Sequence, residues 1–130
     1  MKEVLEFFKK SKTFYLSTIE GDQPRVRPFG AVEVFEEYLY ILTGKQKKVS
    51  QQMSANPKVE ICAFHGGKVL RVQAIVVEDD RTVAKQYMLD NNPYLANQYA
   101  ADDENMQVLY LRDAVATFIG PGEEPQIICF

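Results

Sequence analysis

Residues 25–43 read Arg25-Val26-Arg27-Pro28-Phe29-Gly30-Ala31-Val32-Glu33-Val34-Phe35, then Glu36-Glu37, then Tyr38-Leu39-Tyr40-Ile41-Leu42-Thr43. Aromatic and β-branched residues recur through both runs, and such side chains fit a pleated, half-buried surface. The spacing predicts one long strand over Arg25 to Phe35, a turn at Glu36-Glu37 and a hairpin partner over Tyr38 to Thr43. Pro28 cannot donate to a strand ladder and Gly30 has no side chain to pack. Together they predict a bulge, an edge, or a point where something approaches the backbone closely.

Upstream, Val4, Leu5 and Phe8 share one face of a helix whose last turn carries Lys9, Lys10 and Lys12. Thr13 to Ile19 reads as a strand, and Glu20-Gly21-Asp22-Gln23 as a turn before Pro24. Downstream, Gly44-Lys45-Gln46-Lys47-Lys48 opens a short helix with Val49 and Met53 on one face, ended by Asn56-Pro57. Val59 to Phe64 and Val69 to Glu78 form a hairpin about His65-Gly66-Gly67-Lys68. Asp79-Asp80 precede a helix with an apolar face of Val83, Ala84, Tyr87 and Met88.

Asn91 to Glu104 is polar and irregular, with one helical turn around Tyr94 to Tyr99. Gln107 to Leu111 and Ala114 to Ile119 read as two strands around Arg112-Asp113, and residues 126–129 add a short edge. Hairpins dominate over strand–helix–strand crossovers. That order predicts one α+β domain over residues 1–130: a mostly antiparallel sheet of about seven strands, closed into a barrel, with three flanking helices.

Composition narrows the chemistry. The chain has 130 residues, a formal charge of −3 and 46% hydrophobic residues, which suits one compact domain. A pI near 5.2 argues against nonspecific nucleic-acid binding. No apolar run approaches the ~20 residues of a membrane-spanning helix. The N-terminus lacks a signal-peptide pattern, so a cytoplasmic location is expected, with Cys62 and Cys129 as buried thiols. With one histidine, His65, a His-rich metal site cannot form within the chain, and the acidic pairs supply no metal-ligand pattern. The seven glycines spell neither a dinucleotide-binding nor a P-loop motif. His65 reads as a solvent-exposed turn residue and Cys62 as core, while Tyr94 and Tyr99 read as interface or surface residues, with a place over a ligand as the alternative.

What remains is a local anion site. Residues 1–72 carry 12 basic and 8 acidic side chains, against 3 and 10 in residues 73–130. Arg25 and Arg27 are two apart on a strand and face the same side. Lys45, Lys47 and Lys48 lie in a glycine-led loop that opens a helix, where backbone N–H groups and cations together favour phosphate. Read as hairpin neighbours, the two strands bring both basic clusters to one anion, and arginine adds a forked donor for phosphate oxygens.

These residues resemble the FMN-binding split barrels related to pyridoxamine 5′-phosphate oxidase. The carriers are Arg25-Val26-Arg27-Pro28-Phe29, the hairpin Leu39 to Thr43, the basic turn Lys45 to Lys48 with Val49, and Asn56-Pro57 before Val59-Glu60-Ile61-Cys62. The resemblance implies a split barrel and FMN as cofactor. It implies contacts from Arg25, Val26, Arg27, Pro28, Leu42, Thr43 and Lys48, with Lys45 or Lys47 beside them. It also implies a homodimer with flavins at its interface.

Two motifs of the family are missing. The Arg-x-His pair of vitamin B6 oxidases is absent from the tail Glu124 to Phe130, so that activity is not carried over. Where nitroimidazole-reductase-like members place His, this chain has Thr43 before Gly44. No side chain stands out as catalytic. The expected activity is transfer of hydride or electrons from a reduced nicotinamide through FMN to a small nitro compound, quinone or flavin. The alternatives are a non-catalytic module for FMN or another phosphorylated ligand, or a haem-binding or haem-degrading barrel that uses His65.

Overall fold

A computed structural model describes residues 1–130. In chain order the elements are α1 (Lys2–Ser11), β1 (Phe14–Glu20), β2 (Gln23–Phe29), β3 (Val32–Phe35), β4 (Tyr38–Gly44), α2 (Lys48–Ala55), β5 (Lys58–His65) and β6 (Lys68–Asp79). Then come α3 (Thr82–Asn91), a 3-10 turn (Pro93–Asn97), β7 (Met106–Ile119) and β8 (Gln126–Cys129). All pairings are antiparallel, in the order β2-β1-β5-β6-β7-β4-β3, with β8 on the free edge of β7. No helix is long and apolar enough to cross a membrane.

The expected long strand over Arg25 to Phe35 is instead two strands at opposite ends of the sheet. The chain breaks at Gly30-Ala31, so β2 pairs with β1 while β3 pairs with β4. Because that two-residue link joins the first and last strands, the sheet must curl until its ends meet. No ladder joins β2 to β3, so the barrel is split there rather than closed.

The two strands expected around Arg112-Asp113 are one strand. Gln73 faces Val115 while Ile75 faces Arg112, so β7 gains one residue over β6. Asp113 takes a φ of 52° at this bulge. The extra residue flips the alternation: Leu111 points inward before the bulge and Ala114 after it. A short polar residue tolerates the left-handed conformation better than a branched one.

One apolar cluster fills the barrel, with Leu16, Ile61, Leu70, Val72 and Leu111 at its centre. Val4 and Phe8 of α1, and Val49 and Met53 of α2, join it, so these two helices plug the interior rather than coat it. On the outer face of β4 and β7 a second cluster joins Tyr40, Leu42 and Val108 to Ala84, Met88 and Leu89 of α3. Val83, expected on the buried face of α3, is exposed. Buried Glu33 on β3 binds Lys9 of α1 and Asn92 at the end of α3, which ties both helices to the same strand.

Cys62 is half-buried on the outer face of β5, and Cys129 is exposed, so neither is the buried thiol expected.

Candidate functional site

The split leaves a seam where four parts of the chain meet. Arg27 to Ala31 form one side, Leu42 and Thr43 the floor, Lys47 and Val49 the α2 side, and Tyr94, Leu95, Gln98 and Tyr99 the outer wall. They enclose a pocket of about 220 Å³. Arg27 and Thr43 converge because β2 and β4 lie near opposite ends of a curled sheet, not because their strands form a hairpin.

The basic residues part company here. Lys47 lines the pocket. Lys45 points to the other side of α2 and pairs with Glu78 at 3.2 Å. Lys48 begins α2 and is exposed, close enough to Glu20 to stabilise its carboxylate. Arg25 lies beside the pocket rather than in it: its Nε and Nη2 both donate to Glu20 Oε1, at 3.1 and 2.9 Å. Val26 is exposed and does not line the pocket, whereas Pro28 and Leu42 do.

Arg27 is held in place by the fold. Its Nη1 donates to the Leu16 carbonyl at 3.1 Å and to Thr18 Oγ1 at 2.8 Å, and its Nη2 donates to Gln52 Oε1 at 2.6 Å. Burial, followed by the charge of Arg25, lowers the pKa of its guanidinium from the ordinary value. A cation held this way has a fixed direction, which favours recognition of an anion at a set place.

The turn from β4 into α2 is braced from the far side. Asn105 accepts from the Lys45 backbone N–H through its carbonyl at 2.7 Å and from that of Gln46 through Oδ1 at 3.1 Å. Asp103 in turn accepts from the backbone N–H groups of Ala100, Asn105 and Met106. Those bonds, Ala100 first, lower its carboxyl pKa. Gly44 suits this packing, because a Cβ there would lie 3.2 Å from Tyr99 Oη and 3.3 Å from Asn105 Nδ2, so that both side chains would have to give by a few tenths of an ångström. At Gly30 a Cβ would meet protein atoms only at ordinary contact distances, 3.9 and 4.0 Å, so that glycine marks the strand break and not tight packing within the chain.

Tyr94 and Tyr99, read from sequence first as surface or interface residues and only alternatively as residues over a ligand, stand in the pocket wall. Thr18, Glu20 and Gln52 carry no motif, yet they orient both arginines. The one available signal was the spacing of Lys48 and Gln52, which places them four apart on one helix face. His65 ends β5, exposed, with its ring edge-on to Phe7 at 6.2 Å, and takes no part in the pocket.

The chain belongs to the pyridoxamine 5′-phosphate oxidase family, whose family model matches residues 1–117. A NimC/NimA family protein of Clostridium acetobutylicum is 42% identical, with a TM-score of 0.97, over 100% of this chain and 92% of that one. General Stress Protein 26 of Bacillus anthracis shares the fold at 17% identity and a TM-score of 0.79, over 99% of this chain and 97% of its own. An F420 reductase does so at 17% identity and a TM-score of 0.62, over 82% of this chain and 90% of its own. No curated protein matches the sequence. The fold is one used by flavin-type oxidoreductases.

Proposed function

We propose that this protein binds FMN at the seam and works as an oxidoreductase. Reducing equivalents would pass from a reduced nicotinamide to a small acceptor such as a nitro compound, a quinone or another flavin. The observation that carries the reading is the convergence of Arg27, Thr43 and Lys47 with Pro28, Phe29, Gly30 and Leu42 in one pocket. Cations, a hydroxyl and an apolar floor suit a ligand that is anionic at one end and flat and apolar at the other.

FMN, when bound, supplies the redox chemistry, and the residues around it bind and orient. Arg27, with Arg25, Lys47 and Lys48 at the mouth, would hold the phosphate. The Thr43 hydroxyl would join them on the phosphate and Pro28 and Leu42 would bear on the ring system, while Tyr94 and Tyr99 limit the entry of water and acceptor. No carboxylate or imidazole lines the pocket, so no side-chain general acid or base of those types is assigned.

The pocket also supports a homodimer. At about 220 Å³ it falls below the roughly 300–1,000 Å³ of sites that enclose a drug-sized ligand, so a second protomer would cover what one leaves open. Exposed Tyr15, Val26 and Phe64 on neighbouring strands β1, β2 and β5 offer apolar surface for it. The absence of a disulfide requirement suits a reducing cytoplasm.

The test is an absorbance spectrum after incubation with FMN and desalting. Retained bands near ~450 and ~375 nm, at about one flavin per chain, are expected from the bound cofactor. A colourless protein would overturn the reading.

A further inference from the structure

At the mouth of the pocket several anion-binding groups close on a carboxylate that belongs to the chain itself. Glu20, the last residue of β1, accepts from Arg25 Nε and Nη2 on Oε1 and from Gln52 Nε2 at 3.3 Å on Oε2. Gln52 presents its other atom, Oε1, to Arg27 Nη2 and to the Thr18 hydroxyl. Lys48, four residues before Gln52 on α2, adds its charge to the same carboxylate. Arg25 and Lys48 thus act on one acidic side chain directly, and Arg27 is linked to it through Gln52.

A carboxylate is a poor match for these donors. A guanidinium fork binds best when its two N–H groups meet two oxygens, but here both converge on Oε1. The second oxygen has only the long contact from Gln52. A phosphate monoester offers three acceptor oxygens and a charge of about −1.5 to −2 at neutral pH, which suits both the donor count and the surplus of cations. The Arg25–Glu20 pair is also about half exposed on both sides, 51% and 47%, so it is a weak surface pair that opens at little cost.

We propose that Glu20 is an internal stand-in for the ligand's phosphate, occupying Arg25 and Gln52 in the free chain and displaced when a phosphate monoester binds. The inference deepens the flavin reading and rests on it for the identity of the ligand. Glu20 is then a competitor that sets a threshold: it keeps the arginine extended toward the mouth and lets go only to a more highly charged anion. Neutral ligands, or the dephosphorylated flavin, do not displace it.

The experiment compares the full-length protein with Glu20→Gln, which keeps the shape and removes the charge. Three probes are titrated at low salt: FMN and riboflavin by fluorescence quenching, and inorganic phosphate by calorimetry. Glu20→Gln should bind FMN and phosphate at least about fivefold more tightly, with riboflavin affinity unchanged and the gain shrinking as salt screens the charge. Thermal unfolding of the variant checks that the half-exposed position leaves the fold intact.

FMN bound equally or more weakly by Glu20→Gln would overturn the stand-in and leave the flavin reading in place, with Glu20 a mere support for Arg25. Tighter phosphate binding with no FMN retained by either protein would keep the stand-in and overturn the flavin reading. Equal tightening toward riboflavin would overturn the phosphate-specific role. No binding of any probe to either protein would overturn both.

Discussion

Arg27 and Gln52 meet at 2.6 Å, joining the edge strand β2 to helix α2 across the mouth of the seam. The same Gln52 oxygen accepts the Thr18 hydroxyl at 2.5 Å, so one amide group orients a cation from β2 and a hydroxyl from β1. Gln52 is itself buried, which means that its bonds are made away from competing water. The arginine that faces the pocket is therefore fixed by the fold before any ligand arrives.

Gln52→Ala should consequently cost both stability and ligand affinity. A hydrogen bond to a charged group contributes roughly 1.5–3 kcal/mol, and the partners left behind are part-buried. Urea denaturation should show a loss in that range. Flavin retention should fall although Gln52 itself does not line the pocket. An unchanged midpoint would mean that water replaces the amide at no cost.

The lysines give a sharper contrast. Lys47→Ala combined with Thr43→Val removes a cation and a hydroxyl from the pocket and should reduce FMN affinity by about tenfold or more, since each lost charge-assisted bond is worth roughly 1.5–3 kcal/mol. Lys45→Ala should alter it by less than about threefold, because that ammonium is paired with Glu78 beyond α2 at an exposed site where such pairs are weak. Equal losses in the two proteins, measured by fluorescence titration, would contradict the division of the basic turn.

Why the division could not be read from sequence is plain from the turn itself. Lys45, Lys47 and Lys48 are near neighbours, but the chain passes from β4 through a turn into α2 across them, and each side chain leaves in a different direction. The strands, by contrast, were legible. Aromatic and β-branched composition marked β1, β5 and β6 as strands and Glu36-Glu37 marked the hairpin, although Cys62, read as core, lies on the outer face of β5. The run Arg25 to Phe35 misled because both halves are strand-like and the break depends on which partner each half finds. Gly30 was flagged, yet nothing local says that the two halves join opposite ends of one sheet. Glu20, Thr18 and Gln52 are ordinary polar residues whose roles exist only after α2 docks on β1.

The hairpin turn carries local strain that a substitution can relieve. Glu36 and Glu37 both have positive φ, 49° and 68°, in a two-residue turn between Phe35 and Tyr38. That backbone favours Asn-Gly, and a non-glycine residue there costs about 1 kcal/mol or more. Glu36 is partly compensated by its 2.6 Å pair with Arg81, whereas no ion pair engages Glu37. Glu37→Gly should therefore raise stability by about 0.5–1 kcal/mol, read as a higher melting temperature, without affecting flavin binding at the far end of β4. A lower melting temperature would show that the entropy of the unfolded glycine outweighs the relief.

Asp79 provides the pH prediction. It is buried at the end of β6, where it accepts from Tyr40 Oη at 2.8 Å, from Arg81 Nε and Nη2 at 3.0 and 2.9 Å, and from the Arg81 backbone N–H at 3.1 Å. The Arg81 side chain, foremost, outweighs burial and holds the carboxyl at about 2, below its ordinary 3.8. A group whose folded pKa lies below its unfolded one stabilises the protein above the unfolded value. That stability is lost as pH falls through the folded value, here between about 4 and 2. The lowering corresponds to about 2 kcal/mol at neutral pH, at 1.36 kcal/mol for each unit. Asp79→Asn should lose an amount of that order at pH 7 and flatten the acid limb of the stability profile below pH 4. Tyr40→Phe should cost about 1 kcal/mol, as expected for one hydrogen bond, and keep most of that limb because Arg81 remains. If Asp79→Asn were as stable as the parent at pH 7 and lost stability in acid just as steeply, the burden of acid unfolding would lie on other carboxylates.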